Sequence, residues 1–151
     1  MNLRPNAWTS QQEMKDQSLW LIQASDIIKL TKEEAAVLGI ELERMAKEQN
    51  KVIVMTDGSD TAAIYTKDIT VTQMPKHVEA LDVTGAGDSF MSAFLYFYVK
   101  HKKAMKPDEF YQKAMHFAIC ASAISVQRYG AIDSLPTLKE IEETWEGKWK
   151  L

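Results

Sequence analysis

The sequence predicts an α/β fold in which helices cover a layered sheet. Helix-period segments alternate with short β-branched runs, and the runs "SDIIKL" and "KVIVMT" are compact enough to be strands. The chain has 151 residues, of which 46% are hydrophobic, so it can bury a core of its own, and no linker or repeat divides it. A single domain over residues 1–151 is expected, with ligands at the carboxyl ends of the strands.

The elements follow in order. After an extended start, Ser10 can cap a helix to about Gln23, with Met14, Leu19, Trp20 and Ile22 on its apolar face. "SDIIKL" gives a first strand. "TKEEAAVLG" gives a helix ended by Gly39, and "ELERMAKEQ" a second helical piece with a charged outer face. "KVIVMT", residues 51–56, suits a strand covered on both sides. The turn "DGSD" leads to "TAAIYT" and "ITVTQM", a hairpin joined through Lys67 and Asp68. From Asp88 to about Val99 the pattern is apolar nearly all round, the mark of a buried helix. In the run from Pro107 to about Gln127, Ala114, Ala118, Ala121 and Ser125 recur about once per turn and predict close helix packing. Thr137 and Glu140 form a capping box for a last helix. The sheet has few strands for so many apolar helices, so it looks incomplete.

Composition narrows the function. A net charge of -3, from 18 basic and 21 acidic residues spread along the chain, provides no basic stripe for nucleic acid and no polybasic patch for membranes. A small ligand is expected. The single cysteine, Cys120, lies in the apolar run "HFAICASAISV" and packs as a small hydrophobe, which points to a reducing compartment. With no membrane-length apolar run and no signal-peptide pattern at its start, the chain is expected in the cytoplasm. His77, His101 and His116 have no metal-ligand spacing, and the four tryptophans read as packing or surface residues.

The stretch "LDVTGAGDSF", residues 81–90, carries the chemistry. Two glycines at a helix start let the backbone approach a ligand, and the free N–H groups with the helix dipole can hold an anion such as a transferring phosphoryl group. Asp88 in the first turn is favoured in its ionised form by the same dipole and can accept a proton from a hydroxyl. The alternative is that Gly85 and Gly87 shape a tight loop and Asp88 caps the helix. The P-loop pattern is absent, and Phe90 stands where "GxGxxG" needs its third glycine.

"DVTGAGDSF" resembles the signature of the ribokinase-like, or PfkB-type, carbohydrate kinases. "NLRPNAW" resembles the end of the "DPNxRxxLW" segment of fructokinase-like members, and "ASDIIKLTKEEAAVLG" is similar to their "ADIVKLNEEEAELL". "KVIVMTDGSDTAAIY" and "FAICASAISVQRYGAIDSLPTLKEIE" match their nucleotide-loop and closing segments in order. The resemblance spans essentially the whole chain. It implies a ribokinase-like α/β/α sheet and an ATP-dependent, Mg²⁺-requiring kinase that phosphorylates a sugar hydroxyl. Asp88 would be the general base, and the amides of Gly85, Ala86 and Gly87 would cradle the phosphoryl group. Thr84 would line the phosphate path, Thr56 and Gly58 the nucleotide loop, and Lys29 the nucleotide phosphates, unless Lys29 is simply a solvated strand-end lysine. Glu34 matches the acidic end of the family's "NxxE" motif, which meets magnesium through water. Here Thr31 replaces the asparagine, and Thr31 with Glu34 also makes a capping box needing no ligand. Asp82 would help hold a potassium ion, and Arg4 would reach the sugar or its acid group unless it is merely solvated. Thr61 and Ile119 depart from the family's nucleotide-loop glycine and adenine-side residue, which puts base affinity in doubt.

Family members are about twice this length, and their first half carries central strands, a sugar-binding glycine pair and a lid. The chain resembles their C-terminal, ATP-binding half. It is therefore expected to be inactive alone, with an uncovered sheet edge that favours self-association or pairing with another chain. The other reading is a non-catalytic nucleotide-binding or structural fragment. The sugar, whether fructose, ketodeoxygluconate or ribose, is left open.

Overall fold

Ser10 starts the first helix where its spacing predicts, in a computed structural model that describes residues 3–75 and 77–146, apart from the side chains of Trp145 and Glu146. The chain divides into two units, Met1–Thr72 and Gln73–Leu151.

In the first unit, Arg4 adopts a left-handed conformation ahead of a 3-10 turn over Pro5–Ala7. Helix α1, Gln11–Ala24, begins with the Ser10 hydroxyl accepting from the Glu13 amide at 3.1 Å. Its buried face is Met14, Ser18 and Ile22, spaced four apart as a helix stripe requires. Trp20 departs from the sequence expectation: it is 66% exposed, because a position two residues before Ile22 points away from that stripe. Strand β1, Ile27–Thr31, runs directly into α2, Lys32–Leu38, through a complete Thr31/Glu34 capping box, and Gly39 ends that helix at a φ of 69°. Helix α3, Leu42–Gln49, leads to β2, Val52–Thr56, and the hairpin of β3, Ala62–Tyr65, and β4, Thr70–Gln73.

The strand order is β1-β2-β3-β4. β1 and β2 are parallel from Ile27 opposite Val52 to Thr31 opposite Thr56, while β2 and β3 are antiparallel. Ile53 and Val54, on opposite faces of β2, are both fully buried, as a strand covered on both sides requires. Leu3, Met14, Ile22, Ile28, Leu30, Leu38, Ala46 and Ile53 form one core cluster, with Trp8 packed against it. Each large aliphatic side chain buried there contributes about 1.5–3 kcal/mol of transfer free energy. Lys51 is buried too, and its ammonium donates to the Gln23 and Ser25 carbonyls at 2.9 and 2.6 Å, satisfying the end of α1.

The second unit is helical: α4, Ala86–His101, α5, Pro107–Ser125, and α6, Leu138–Glu146. Phe97 of α4 packs at a tilt against Phe110 and Phe117 of α5, with ring centroids 5.9 and 5.4 Å away. Ala114, Ala118, Ala121 and Ser125 are fully buried, so the small-residue recurrence does mark a tightly packed face. α4 is not buried all round. Phe90, Phe94 and Phe97 face inward, whereas Leu95, Tyr96 and Val99 are exposed, Val99 at 81%. An all-apolar pattern specifies which residues can be buried and cannot itself supply a second covering surface.

Thr137 and Glu140 make the expected capping box: the Glu140 carboxylate accepts from the Thr137 amide at 2.7 Å, and it also pairs with Arg128. Cys120 is buried beside His116, whose Nδ1 lies 2.6 Å from Gln73 Nε2. Of the tryptophans, Trp8 donates its indole N–H to the Leu3 carbonyl at 2.7 Å, and Trp149 lies outside the described residues. No helix among the described residues is long and apolar enough to cross a membrane.

Candidate functional site

The start of α4 is set by backbone geometry. Gly85 is its N-cap, left-handed at φ 80°, and its carbonyl accepts from the Ser89 amide at 2.8 Å. Ala86 donates instead to the Val83 carbonyl at 3.2 Å. The next two amides, of Gly87 and Asp88, precede the first intrahelical bond, so helix geometry gives them no partner within α4. They point along the helix axis at its positive end, where an anion is favoured. Glycine is favoured at 85 for a second reason. A Cβ there would lie 3.1 Å from the Ala131 carbonyl oxygen.

Asp88 is exposed, and its carboxylate makes no hydrogen bond or ion pair among the described residues. It sits in the first turn without capping it, because the N-cap is Gly85. A helix start with unused amides therefore stands beside a free carboxylate. Ser89, the following residue, is 2% exposed with a hydroxyl oxygen that has no partner among the described residues.

Asp82 and Thr84 shape the approach. Asp82 Oδ1 accepts from the Thr84 amide at 2.9 Å and Oδ2 from the Gly130 amide at 3.0 Å. Hydrogen bonding from the Thr84 side chain, then from the Gly130 and Thr84 amides, holds the Asp82 carboxyl below the usual carboxylate range.

The remaining candidates belong to the first unit. Thr31 and Thr56 are register partners at the carboxyl ends of the parallel pair, where α/β sheets bind ligands. Gly58 follows in the turn after β2 at φ 56°, closed by Asp60 donating to the Asp57 carbonyl at 2.8 Å. Lys29 lies mid-strand in β1, opposite Val54. Glu34 Oε2 accepts from Thr31 N at 2.8 Å and Oε1 from Leu3 N at 3.3 Å, so each oxygen already serves the backbone and keeps one lone pair for a further donor. Arg4 is exposed. No group of three or more His, Cys, Asp or Glu side chains suited to a metal occurs among the described residues.

The pattern of the pfkB family carbohydrate kinases matches residues 1–138. This chain belongs to that family. It is 34% identical over 150 residues to probable fructokinase-2 of Arabidopsis thaliana, covering 90% of this chain and 44% of the relative. Among solved structures it resembles an uncharacterized sugar kinase from Pyrococcus horikoshii in complex with ATP, at 30% identity and a TM-score of 0.79, covering 95% of this chain and 45% of that one. A Vibrio cholerae fructokinase double mutant, bound to fructose, ADP and potassium, shares the fold at 24% identity and a TM-score of 0.77, covering 93% and 47%. The pfkB-family chain thus spans about half the length of the relatives it matches.

Two features of this pfkB-family chain escaped the sequence reading. Lys32 pairs with Asp57 at 3.0 Å across the carboxyl edge, and Asp57's hydrogen bond and charge raise the lysine above its ordinary range. Residues 129–131, "YGA", press against the start of α4 through Gly130 and Ala131. A glycine followed by a small residue after a long helix was the available signal for the second. Nothing local signals the first.

Proposed function

We propose that the chain contributes the nucleotide and phosphoryl-transfer half of a fructokinase-like kinase, which moves the γ-phosphoryl group of ATP to a sugar hydroxyl. The observation that carries this is the start of α4, where unused Gly87 and Asp88 amides stand beside an unpartnered Asp88 carboxylate in a chain of a carbohydrate kinase family. Asp88 accepts the proton of the attacking hydroxyl, and the amides of Gly85, Gly87 and Asp88 meet the charge that develops on the phosphoryl oxygens, whereas the Ala86 amide, expected from the resemblance to share that role, already donates to the Val83 carbonyl at 3.2 Å. Thr84 lines the approach, Thr56, Gly58 and Lys29 serve the nucleotide side, and Arg4 serves the sugar.

Glu34 would meet magnesium through water, as the resemblance implies, with the lone pair that each oxygen keeps after accepting a backbone amide. Magnesium would supply charge neutralisation on the nucleotide phosphates. Asp82 likewise accepts one amide on each oxygen and keeps a lone pair on each, with which it would help hold potassium. The cytoplasm suits a reduced, buried Cys120 and an ATP-dependent reaction.

A second reading, a nucleotide-binding or structural fragment without turnover, is favoured by the coverage: only about half of each relative is matched. Calorimetric titration with MgATP separates nucleotide binding from none. Native chain that binds, and a folded Gly87→Glu variant that does not, is the expected result. Equal affinity in both would overturn the assignment of the phosphates to α4. Coupled release of ADP with sugar then separates a kinase from a fragment.

A further inference from the structure

The loop that delivers α4 is tied to the rest of its unit at three places. Leu81 and Asp82 donate their amides to the Val126 carbonyl at 2.7 and 3.2 Å, just past the end of α5. Gly85 lies against Ala131, where a Cβ would stand 3.1 Å from the carbonyl oxygen. Between these, the Asp82 carboxylate spans the two loops, taking the Thr84 amide on one oxygen and the Gly130 amide on the other. The first tie is a pair of backbone hydrogen bonds that most side chains would permit, and the second needs only that residue 85 lack a side chain. The third depends on one side chain, which reaches 48 residues along the chain to Gly130.

We infer that Asp82 is a positioning residue: its carboxylate clasps the 82–85 loop to the 129–131 loop and so fixes the Gly85 to Asp88 backbone in its anion-receiving form before a ligand arrives. The geometry explains why an acid is needed. Two amide donors approach from two loops, and a carboxylate has an acceptor oxygen for each, whereas an asparagine has one acceptor and one donor. Charge strengthens both bonds. Thr84, held by the clasp, immediately precedes Gly85, so slack at Asp82 passes straight to the amides of Gly87 and Asp88. The inference rests on the phosphoryl-receiving reading of α4 and concerns how that site is held, with or without a cation nearby.

The test uses the native chain, Asp82→Asn, Asp82→Ala, and Gly39→Ala as a control strained at the end of α2 in the other unit. Affinity for MgATP and for inorganic tripolyphosphate is measured by calorimetry, and amide exchange and chemical shifts by NMR without ligand. Loss of charged hydrogen bonds predicts affinity about tenfold weaker or more in Asp82→Ala, and a smaller loss in Asp82→Asn, which keeps one acceptor. Thr84 and Gly130 amides exchange faster in both, while Gly39→Ala loses thermal stability with unchanged affinity. Folded Asp82 variants that bind within about twofold of native, on the scale where tenfold is 1.4 kcal/mol, overturn the inference. So does unchanged exchange at Thr84 and Gly130. Should Asp82→Ala not fold, Asp82→Asn decides by the same criteria. Should the native chain take up neither probe, the nucleotide reading fails on its own. The clasp is then judged by the Gly87 and Asp88 amide shifts in Asp82→Asn, which support it if moved and overturn it if not.

Discussion

Gly85 approaches Ala131 so closely that a methyl group on Gly85 would stand 3.1 Å from the Ala131 carbonyl oxygen. Gly58 has a similar backbone at φ 56° but open space around it. The pair therefore separates two costs of losing a glycine. Gly58→Ala should lose about 1–2 kcal/mol, the strain of a left-handed alanine. Gly85→Ala should lose more, about 2–3 kcal/mol, because the Ala131 backbone must also give way. Denaturant unfolding measures both. Asparagine, which tolerates the left-handed region, should recover stability at 58 and not at 85; recovery at both would show that Ala131 yields freely.

Asp88 stands in the first turn of α4 without a hydrogen-bond partner among the described residues. A residue that only capped the helix would accept a backbone amide, and this one does not. Asp88→Asn should therefore cost less than about 1 kcal/mol of stability, the scale of a lost charge–dipole interaction. If the proposed function holds, the same change in a longer form that holds sugar should lower turnover by roughly 10² to 10⁴ while nucleotide affinity changes little. Unfolding curves and steady-state rates on one preparation check both halves. A stability loss with normal turnover would make Asp88 a structural residue.

Glu140 links the capping box of α6 to Arg128, and hydrogen bonding from Arg128 first, then from the Thr137 amide and hydroxyl, pulls its carboxyl down to about 2. The sign follows from linkage. A folded value below the unfolded one adds stability that is complete above the unfolded value near 4.5 and is lost as pH falls toward about 2. Glu140→Gln should thus be less stable than native at neutral pH, with the gap closing between those limits. Both partners are partly exposed, so salt should shrink the gap as well. A gap independent of pH would mean that the carboxylate charge contributes nothing.

What could be read in advance follows the range of each interaction. Ser10 with Glu13, Thr31 with Glu34 and Thr137 with Glu140 are capping contacts three residues apart, and each occurs as its spacing predicts. Gly39 ends α2 for an equally local reason. Trp20 was misplaced because apolar character alone did not fix which face of α1 meets the core. The α4 helix start was legible from "TGAGDS", whereas the Asp82 to Gly130 bond and the Lys32 to Asp57 pair were not. Each joins residues brought together only by the fold, and no spacing rule covers them.

The last prediction concerns the chain alone. It spans about half of each relative, and the resemblance puts the sugar-holding glycine pair on the other half. Positioning can supply about 7 to 11 kcal/mol of a barrier, so an intact anion site without a placed hydroxyl should leave negligible sugar-dependent ADP release. The same chain exposes Leu95, Tyr96 and Val99 along α4, and β1 stands at one end of the strand order, without a second strand partner among the described residues. An apolar stripe and an open edge both favour association, so light scattering should report a mass above the monomer that rises with concentration. Val99→Lys should reduce it, since that side chain is 81% exposed and its replacement disturbs no core contact. Assays with fructose, 2-keto-3-deoxygluconate and ribose complete the test. Strong turnover from a monodisperse monomer would show that these residues suffice to hold both substrates, and that α4 needs no covering partner.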